Sequence, residues 1–392
     1  MPELTEVEHV RRIVHKTLLG VKIASVSAKE DTIVFPGVEG GEVESKLTGR
    51  SIIDTKRWGK YYVLIMDKGP SIVGHLGMTG WVYIEITHKK PIDGKEKEMA
   101  CECRMCLRKD PKHVWPPRFW KLQLSFETPD SHITLAYDDA RRLGRIRLVD
   151  GDPMKELPIS KLGFDPLHNL PELSEFTQMV QRRAVPIKAL LLDQSFSAGV
   201  GNWVADEVLW HAKIHPGHYT NVLTDEECEA IHEKLSYVCH VAADLNADSS
   251  KFPDNWLFLH RWGKGKGKSQ LPDGSAISFE TFGGRTSAFV AAVQKLPKKS
   301  ASEKVKSVKQ KTVAVKKTVS VKKVDKDDDD NEDQKKTNVR RSGRKKVKVE
   351  EQIVEEQIVE IYKPARKRKS VATKVKIEDD APKKRTSRRS GH

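Results

Sequence analysis

The charge of this 392-residue chain is unevenly placed, and that division decides what can fold. From Pro297 to His392 there are 31 Lys and Arg against 16 Asp and Glu, so this stretch carries the whole formal charge of +15, while residues 1–296, with 39 of each sign, carry none. All eight Trp lie before position 297, and Tyr362 is the only aromatic residue after it. A segment with so little to bury cannot offset its ordering entropy, so 293–392 is expected to be a disordered lysine-rich tail. The folded body before it is long enough for two or more domains. No apolar run approaches the roughly 18 residues of a membrane span. The acidic and polar start is not a secretion signal. Five cysteines do not make a disulfide framework, which fits the cytosol or nucleus. The positive excess points to an anionic partner, nucleic acid first.

Within the body the hydrophobic period changes three times. Val7, Val10, Val14 and Leu18 recur at helical spacing, with Gly20 behind them as a C-terminal stop. Strands are then predicted at Val21–Ser27, Tyr61–Met66, Ser71–His75, Trp81–Ile86, Trp120–Phe126, His132–Tyr137 and Arg145–Val149, a series that suggests a sandwich or barrel. A polar insertion at 88–117 interrupts it. Helices are predicted at Glu172–Arg183, Pro186–Asp193, Trp203–Ala212 and Asp225–Asn246, and a hairpin over Ala276–Val290 turning at Gly283 and Gly284. The expected class is α+β. The expected divisions are 1–150 (helix and β-sandwich), 151–250 (helical), 251–292 (hairpin) and 293–392 (tail).

The second residue is Pro2, followed by Glu3 and Glu6. Once Met1 is removed, Pro2 offers a free secondary amine. With an α-amino pKa of about 7.7–8.0, a useful fraction is neutral at pH 7. Such an amine attacks carbonyl-like carbons, and a secondary amine forms a charged iminium directly, an electron sink for elimination. Glu3 and Glu6, three apart at a helix start, can face one pocket as proton donor and electrostatic partner. Acids at a helix N-terminus are also ordinary dipole partners.

The residues MPELTEVE at 1–8 resemble the MPELPEVE start of the formamidopyrimidine-DNA glycosylase and endonuclease VIII family. Further matches follow in order: Lys60 in KRWGKYYVL; HLGMTG at 75–80 for HLGMSG; DDARRLG at 138–144 for DPRRFG; and 187–216 for the helix–two-turn–helix segment. Three departures stand out. Thr5 replaces Pro and should leave the helix start intact. Leu143 replaces the common Phe. No Cys follows Cys239, so a four-cysteine zinc finger is absent, and 256–290 resembles the zinc-free finger of plant-type members.

The resemblance implies a bifunctional DNA glycosylase and abasic-site lyase of base-excision repair, acting on damaged double-stranded DNA through a Schiff base on Pro2. Glu3, Glu6 and Lys60 complete the implied catalytic set. Met78, Arg141 and Leu143 are implied to fill the gap left by the extruded nucleotide, with Arg141 on the orphaned base, cytosine by preference. Lys60, Lys188, Asn202 and Arg285 are implied phosphate ligands. Three cationic phosphate contacts (Lys60, Lys188, Arg285) give a salt slope of roughly −3. The short segment Ser249–Phe258 implies no long lid over the base, which favours ring-opened and further-oxidised purines over 8-oxoguanine.

No cofactor or metal is expected, and a monomer is. Cys101, Cys103 and Cys106 with His113 lack standard zinc spacing and are read as part of a flexible insertion. Phe196, Trp203 and Trp210 are read as helix packing; His75, His211, His215 and His260 as structural; Asp138 and Asp139 as a charge-balanced turn. The tail clusters at 340–348, 363–369 and 383–389 read as nuclear-import or nucleic-acid patches, and the acids among them suggest a protein contact as well. Two other classes fit part of the chain. A chromatin-type structural DNA binder fits the tail but has no use for Pro2 beside Glu3. A lesion binder without catalysis is opposed by the intact Pro2, Glu3, Glu6 and Lys60.

Overall fold

The computed structural model describes residues 2–89, 99–101, 115–263 and 269–297. The tail from 298 onward, Cys103, Cys106, His113 and most of the 88–117 insertion lie outside the described residues.

Helix α1 (Leu4–Leu18) opens an α+β architecture. Two antiparallel sheets follow. One takes β1 (Ile23–Ala28), β5 (Trp81–His88), β6 (Met99–Cys101), β7 (Trp120–Glu127) and β8 (Ser131–Asp138) in the order β1-β7-β8-β5-β6. The other takes β2 (Ile52–Trp58), β3 (Tyr61–Met66), β4 (Ser71–His75) and β9 (Arg145–Val149) in chain order. Their inner faces share one core: Ile23, Leu124, Phe126 and Tyr137 from the first sheet, Ile52, Leu64, Ile72 and Ile146 from the second. This is the sandwich that the alternating strands suggested.

Strands β2 and β6 and one helix went unread; β6 is a three-residue strand inside the 88–117 insertion, and the other two have physical reasons. In β2 a bulge between Ile52 and Asp54 breaks the alternation, and the inward position Arg57 is charged. Helix α2 (Gly40–Leu47) begins with two glycines, poor helix formers, and buries only Val43 and Leu47 beside the first glycine.

A second core is helical, built from α3 (Leu173–Gln181), α4 (Ile187–Leu192), α5 (Asn202–His211) and α6 (Asp225–Asp244). The Ser249–Phe258 stretch packs into it through Phe252, Trp256 and Phe258, and Phe196 and Trp203 pack there as expected. Beyond it, β10 (Ser278–Phe282) and β11 (Arg285–Phe289) form the hairpin, turning through Gly283 and Gly284, both at positive φ. A small cluster of Leu257, Leu271, Ile277, Ala288 and Val290 supports it.

Helix α1 serves both large cores. Leu4 enters the helical one, while Val7, Val10, Val14 and Leu18 enter the sandwich. The chain's first residues are thereby fixed at the seam between the two.

Candidate active site

The seam is built on close backbone approach. Leu4 N–H donates to Gly199 O at 3.2 Å. A Cβ on Gly199 would stand 2.6 Å from Leu4 Cβ, and one on Gly201 would stand 2.3 Å from Glu3 Cδ. Only glycine lets the turn before α5 approach the N-terminus this closely. Into that space goes the Glu3 side chain. Its Oε2 accepts from Gly201 N–H (2.8 Å) and Val204 N–H (3.2 Å), and its Oε1 from Trp203 N–H (3.0 Å). The carboxylate thus caps α5 from a residue 198 positions or more away in sequence, using the positive end of that helix.

Glu6 turns back to accept from Glu3 N–H at 3.0 Å, and Thr5 Oγ1 donates to the same oxygen at 3.0 Å. Thr5 therefore braces Glu6, and α1 starts normally, as expected. Burial raises the Glu3 pKa, and the nearby Glu6 adds to the rise; Lys60 and the backbone N–H donors oppose it. Lys60 is half-buried, on the tight turn between β2 and β3. Burial lowers its pKa, and Arg285 adds to the fall, against Glu3 and Glu6. A Cβ on Gly199 would stand 3.0 Å from Gly59 Cα, next to Lys60, and Thr286 O, next to Arg285, accepts from Asn202 at the start of α5, so Lys60 and Arg285 reach the seam that holds Glu3 and Glu6 beside the buried Pro2. Arg285 itself is exposed at the hairpin tip.

Two partners of Lys60's turn were missed in the sequence. Arg57, fully buried, donates to Gly59 O (2.9 Å), to both oxygens of Asp165 (2.5 and 2.8 Å) and to Glu8 (3.2 Å). Asp165 also accepts from Gly59 N–H at 2.7 Å. A bidentate ion pair thus clamps the turn to the helical part of the chain. The sequence hid it, because the inward position of Arg57 shows only once β2 is known to be a strand.

One expected phosphate ligand is placed otherwise, and a second is partly engaged. Lys188 is fully buried, its ammonium held by the Asp206 carboxylate and by Asn202 O at 2.9 Å. Asp206 also accepts from Arg261 (2.5 Å) and from Ala288 N–H (3.1 Å) in β11. Lys188 therefore belongs to the buried junction that seats the hairpin, and it has no surface to offer a phosphate. Asn202 Nδ2 donates one of its two hydrogens to Thr286 O at 2.9 Å, which ties Asn202 to the same junction and leaves the other hydrogen for a ligand. Lys60 and Arg285 remain as the seam's cations. With two contacts in place of three, their share of the salt slope is expected to be about −2. Binding of protein cut after residue 296, titrated against salt, measures it.

Met78, Arg141 and Leu143 are brought together. Asp139, fully buried, is the tie: Oδ1 accepts from Thr79 Oγ1 (2.9 Å) and Arg141 N–H (3.1 Å), and Oδ2 from Gly144 N–H (2.7 Å). It holds the loop carrying Met78 against the loop carrying Arg141 and Leu143, and a Cβ on Gly77 would stand 2.4 Å from Gly144 N. Asp139 is thus more than the charge-balanced turn read from sequence. His75, which begins the first loop, pairs with Tyr61 in the β3–β4 ladder and accepts from Gly77 N–H at 3.1 Å. Burial, then Lys60, Arg147 and Arg145, push its pKa down to about 4, so it is neutral at pH 7. Leu143 is 39% exposed and Met78 half-buried.

The model for the formamidopyrimidine-DNA glycosylase N-terminal domain matches residues 1–146, and that for the family's H2TH domain matches 162–254. The chain belongs to the formamidopyrimidine-DNA glycosylase family. It is 37% identical over 309 residues to a formamidopyrimidine-DNA glycosylase of Arabidopsis thaliana, covering 78% of this chain and 74% of the relative. It is 33% identical over 236 residues to one from Ligilactobacillus salivarius, covering 60% of this chain and 75% of the relative. Among solved structures, the Lactococcus lactis enzyme with DNA containing an abasic site superposes with a TM-score of 0.58 at 26% identity, over 75% of this chain and all of the other. A complex of a point mutant of the L. lactis enzyme with DNA containing Fapy-dG gives the same figures. The formamidopyrimidine-DNA glycosylase family comprises DNA glycosylases with abasic-site lyase activity that serve base-excision repair, and this chain is a member. Among the described residues no helix is long and apolar enough to cross a membrane. No cluster of three or more His, Cys, Asp or Glu stands ready for a metal ion among them either.

Proposed function

We propose that this protein removes ring-opened and further-oxidised purines from duplex DNA and cuts the strand by β- and δ-elimination through a covalent adduct on Pro2. The observation that carries this is the Glu3 carboxylate, held beside Pro2 by three backbone N–H groups and faced by Lys60 and Glu6. The Pro2 nitrogen bonds to C1′ of the extruded nucleotide as the glycosidic bond breaks, and the base leaves with the electron pair. Glu3 gives its proton to the ring oxygen, and the sugar opens to an iminium. Loss of a C2′ proton then expels the 3′-phosphate, and a second elimination expels the 5′-phosphate. Hydrolysis returns the free amine. Lys60 and Arg285 bind the flanking phosphates, which position the duplex without reading its sequence. Met78, Arg141 and Leu143 occupy the gap.

The packing of Phe252, Trp256 and Phe258 into the helical core supports the substrate preference, because that segment then has no reach over the extruded base. The basic clusters of the tail support a nuclear location. Borohydride is expected to trap an enzyme–DNA adduct on an abasic duplex, and Pro2→Gly with a retained Met1 is expected to lose it. An adduct that forms with the N-terminal amine blocked overturns the assignment of Pro2.

A further inference from the structure

Next to the loop of Arg141 and Leu143 the chain displays an aromatic side chain with no core to serve. Phe119 is 45% exposed although it directly precedes β7. Its backbone is held hard. Phe119 N–H donates to Asp138 Oδ1 at 2.7 Å, and Asp139 N–H donates to Phe119 O at 3.2 Å. Asp139 is the same residue that fixes Arg141 and Gly144. A second staple lies on the other side. Asp31, nearly buried, accepts from Lys121 Nζ (2.9 Å), two residues after Phe119, and from Arg142 Nε and Nη2 (2.8 and 2.9 Å), beside Leu143. The backbones that carry Phe119 and Leu143 are therefore tied together through Asp139 on one side and Asp31 on the other.

The surface around them has a definite chemistry. The Arg118 guanidinium lies 5.1 Å from the Phe119 ring centroid. Neither Arg118 nor Arg141 has a carboxylate partner among the described residues. Ile33, whose N–H donates to Asp31, is a third exposed apolar residue here, at 42%. An apolar ring with an unpaired guanidinium against it, on a loop bonded to that of Arg141, suits a polyanion with flat apolar faces, which is the description of stacked nucleotides. Leu143 carries no ring, so stacking capacity at this corner rests with Phe119.

We propose that Phe119 stacks on the DNA strand opposite the extruded nucleotide, next to the base taken by Arg141, with Arg118 on an adjoining phosphate. The strand assignment rests on the proposed function, in which Arg141 faces the orphaned base. Phe119 is joined by backbone bonds to the residues just before Arg141, so it meets the neighbouring nucleotide of that same strand.

The test is the affinity of full-length protein for a duplex with an uncleavable tetrahydrofuran abasic analogue, against the same lesion strand left single. Phe119→Ala is expected to weaken duplex binding by about 5- to 150-fold, the range for losing an aromatic that stacks on a base. It should also lower the ratio of duplex to single-strand affinity. Phe119→Trp should keep both, and Phe119→Leu, which retains apolar bulk without a ring, should fall between. Arg118→Ala should reduce the salt slope by about one. Ile53→Ala, an exposed apolar residue elsewhere, is the control and should bind as the parent does. A Phe119→Ala protein that binds duplex within about twofold of the parent overturns the proposal. So does a loss of equal size on the single strand, or a Phe119→Leu protein that matches the parent. Thermal melting of the Trp and Leu variants guards against a folding effect. The titration contains no covalent step, so failure of the borohydride trap would refute the proposed reaction and leave this result readable by itself.

Discussion

Glu3→Gln is expected to slow base release by about 10²- to 10⁴-fold, the contribution of a positioned general acid. Glutamine keeps the shape but loses the proton and one acceptor. Its amide nitrogen would also face one of the N–H groups of Gly201, Trp203 or Val204, which now find carboxylate oxygens at 2.8–3.2 Å. Two losses are therefore combined, and single-turnover kinetics separate them. Loss of the proton donor slows release of the base from a damaged nucleotide more than it slows cleavage at a preformed abasic site. Loss of the cap on α5 slows both alike, because it shifts the whole seam. The pH profile gives a further mark. The raised pKa keeps Glu3 protonated to higher pH than an ordinary carboxyl group, so base release should decline as pH rises through that value. The alkaline limb due to Glu3 should vanish in the glutamine protein. Equal slowing of the two steps with an unchanged pH profile would remove Glu3 from the proton-donor role.

Arg57→Ala is expected to destabilise the fold by about 3–5 kcal/mol, because it strands the buried Asp165 carboxylate. Asp165 would lose both of its guanidinium contacts, while Glu8 would keep Arg11 and Arg12. Against a total stability of about 5–15 kcal/mol this is a large share. Urea unfolding followed by circular dichroism measures it. Arg57→Lys should recover only part, since a lysine keeps the charge but cannot repeat the two-pronged contact with Asp165. Because Arg57 also holds Gly59 O, beside Lys60, the surviving folded Arg57→Lys protein should form the borohydride adduct more slowly. A stability loss under about 1 kcal/mol for Arg57→Ala would mean that the clamp does not hold the seam.

Local chemistry was legible where neighbours along the chain decide it. The spacing of Val7, Val10, Val14 and Leu18 marks α1, and paired glycines mark the hairpin turn at 283–284. Pro2 with Glu3 and Glu6 announces an amine beside carboxylates because those groups adjoin in sequence. Strand β2 was not legible, since its bulge and inward arginine disguise the period. The side on which a cation faces was not legible either. Lys188 and Arg285 look alike as basic residues near turns, yet one is buried and the other exposed. The partner that buries Lys188 is Asp206, on a different helix, and no pattern around Lys188 names it.

By itself, then, the sequence determined the periods of most of its elements and the reactive groups at its start, because hydrophobic burial and amine chemistry depend on composition and near neighbours. Only the tertiary structure decided that Glu3 caps α5, that Asp139 joins two loops, and that Lys188 lies in a buried junction. Each of those is a contact between residues far apart in the chain, and its existence depends on how two cores pack against a shared helix.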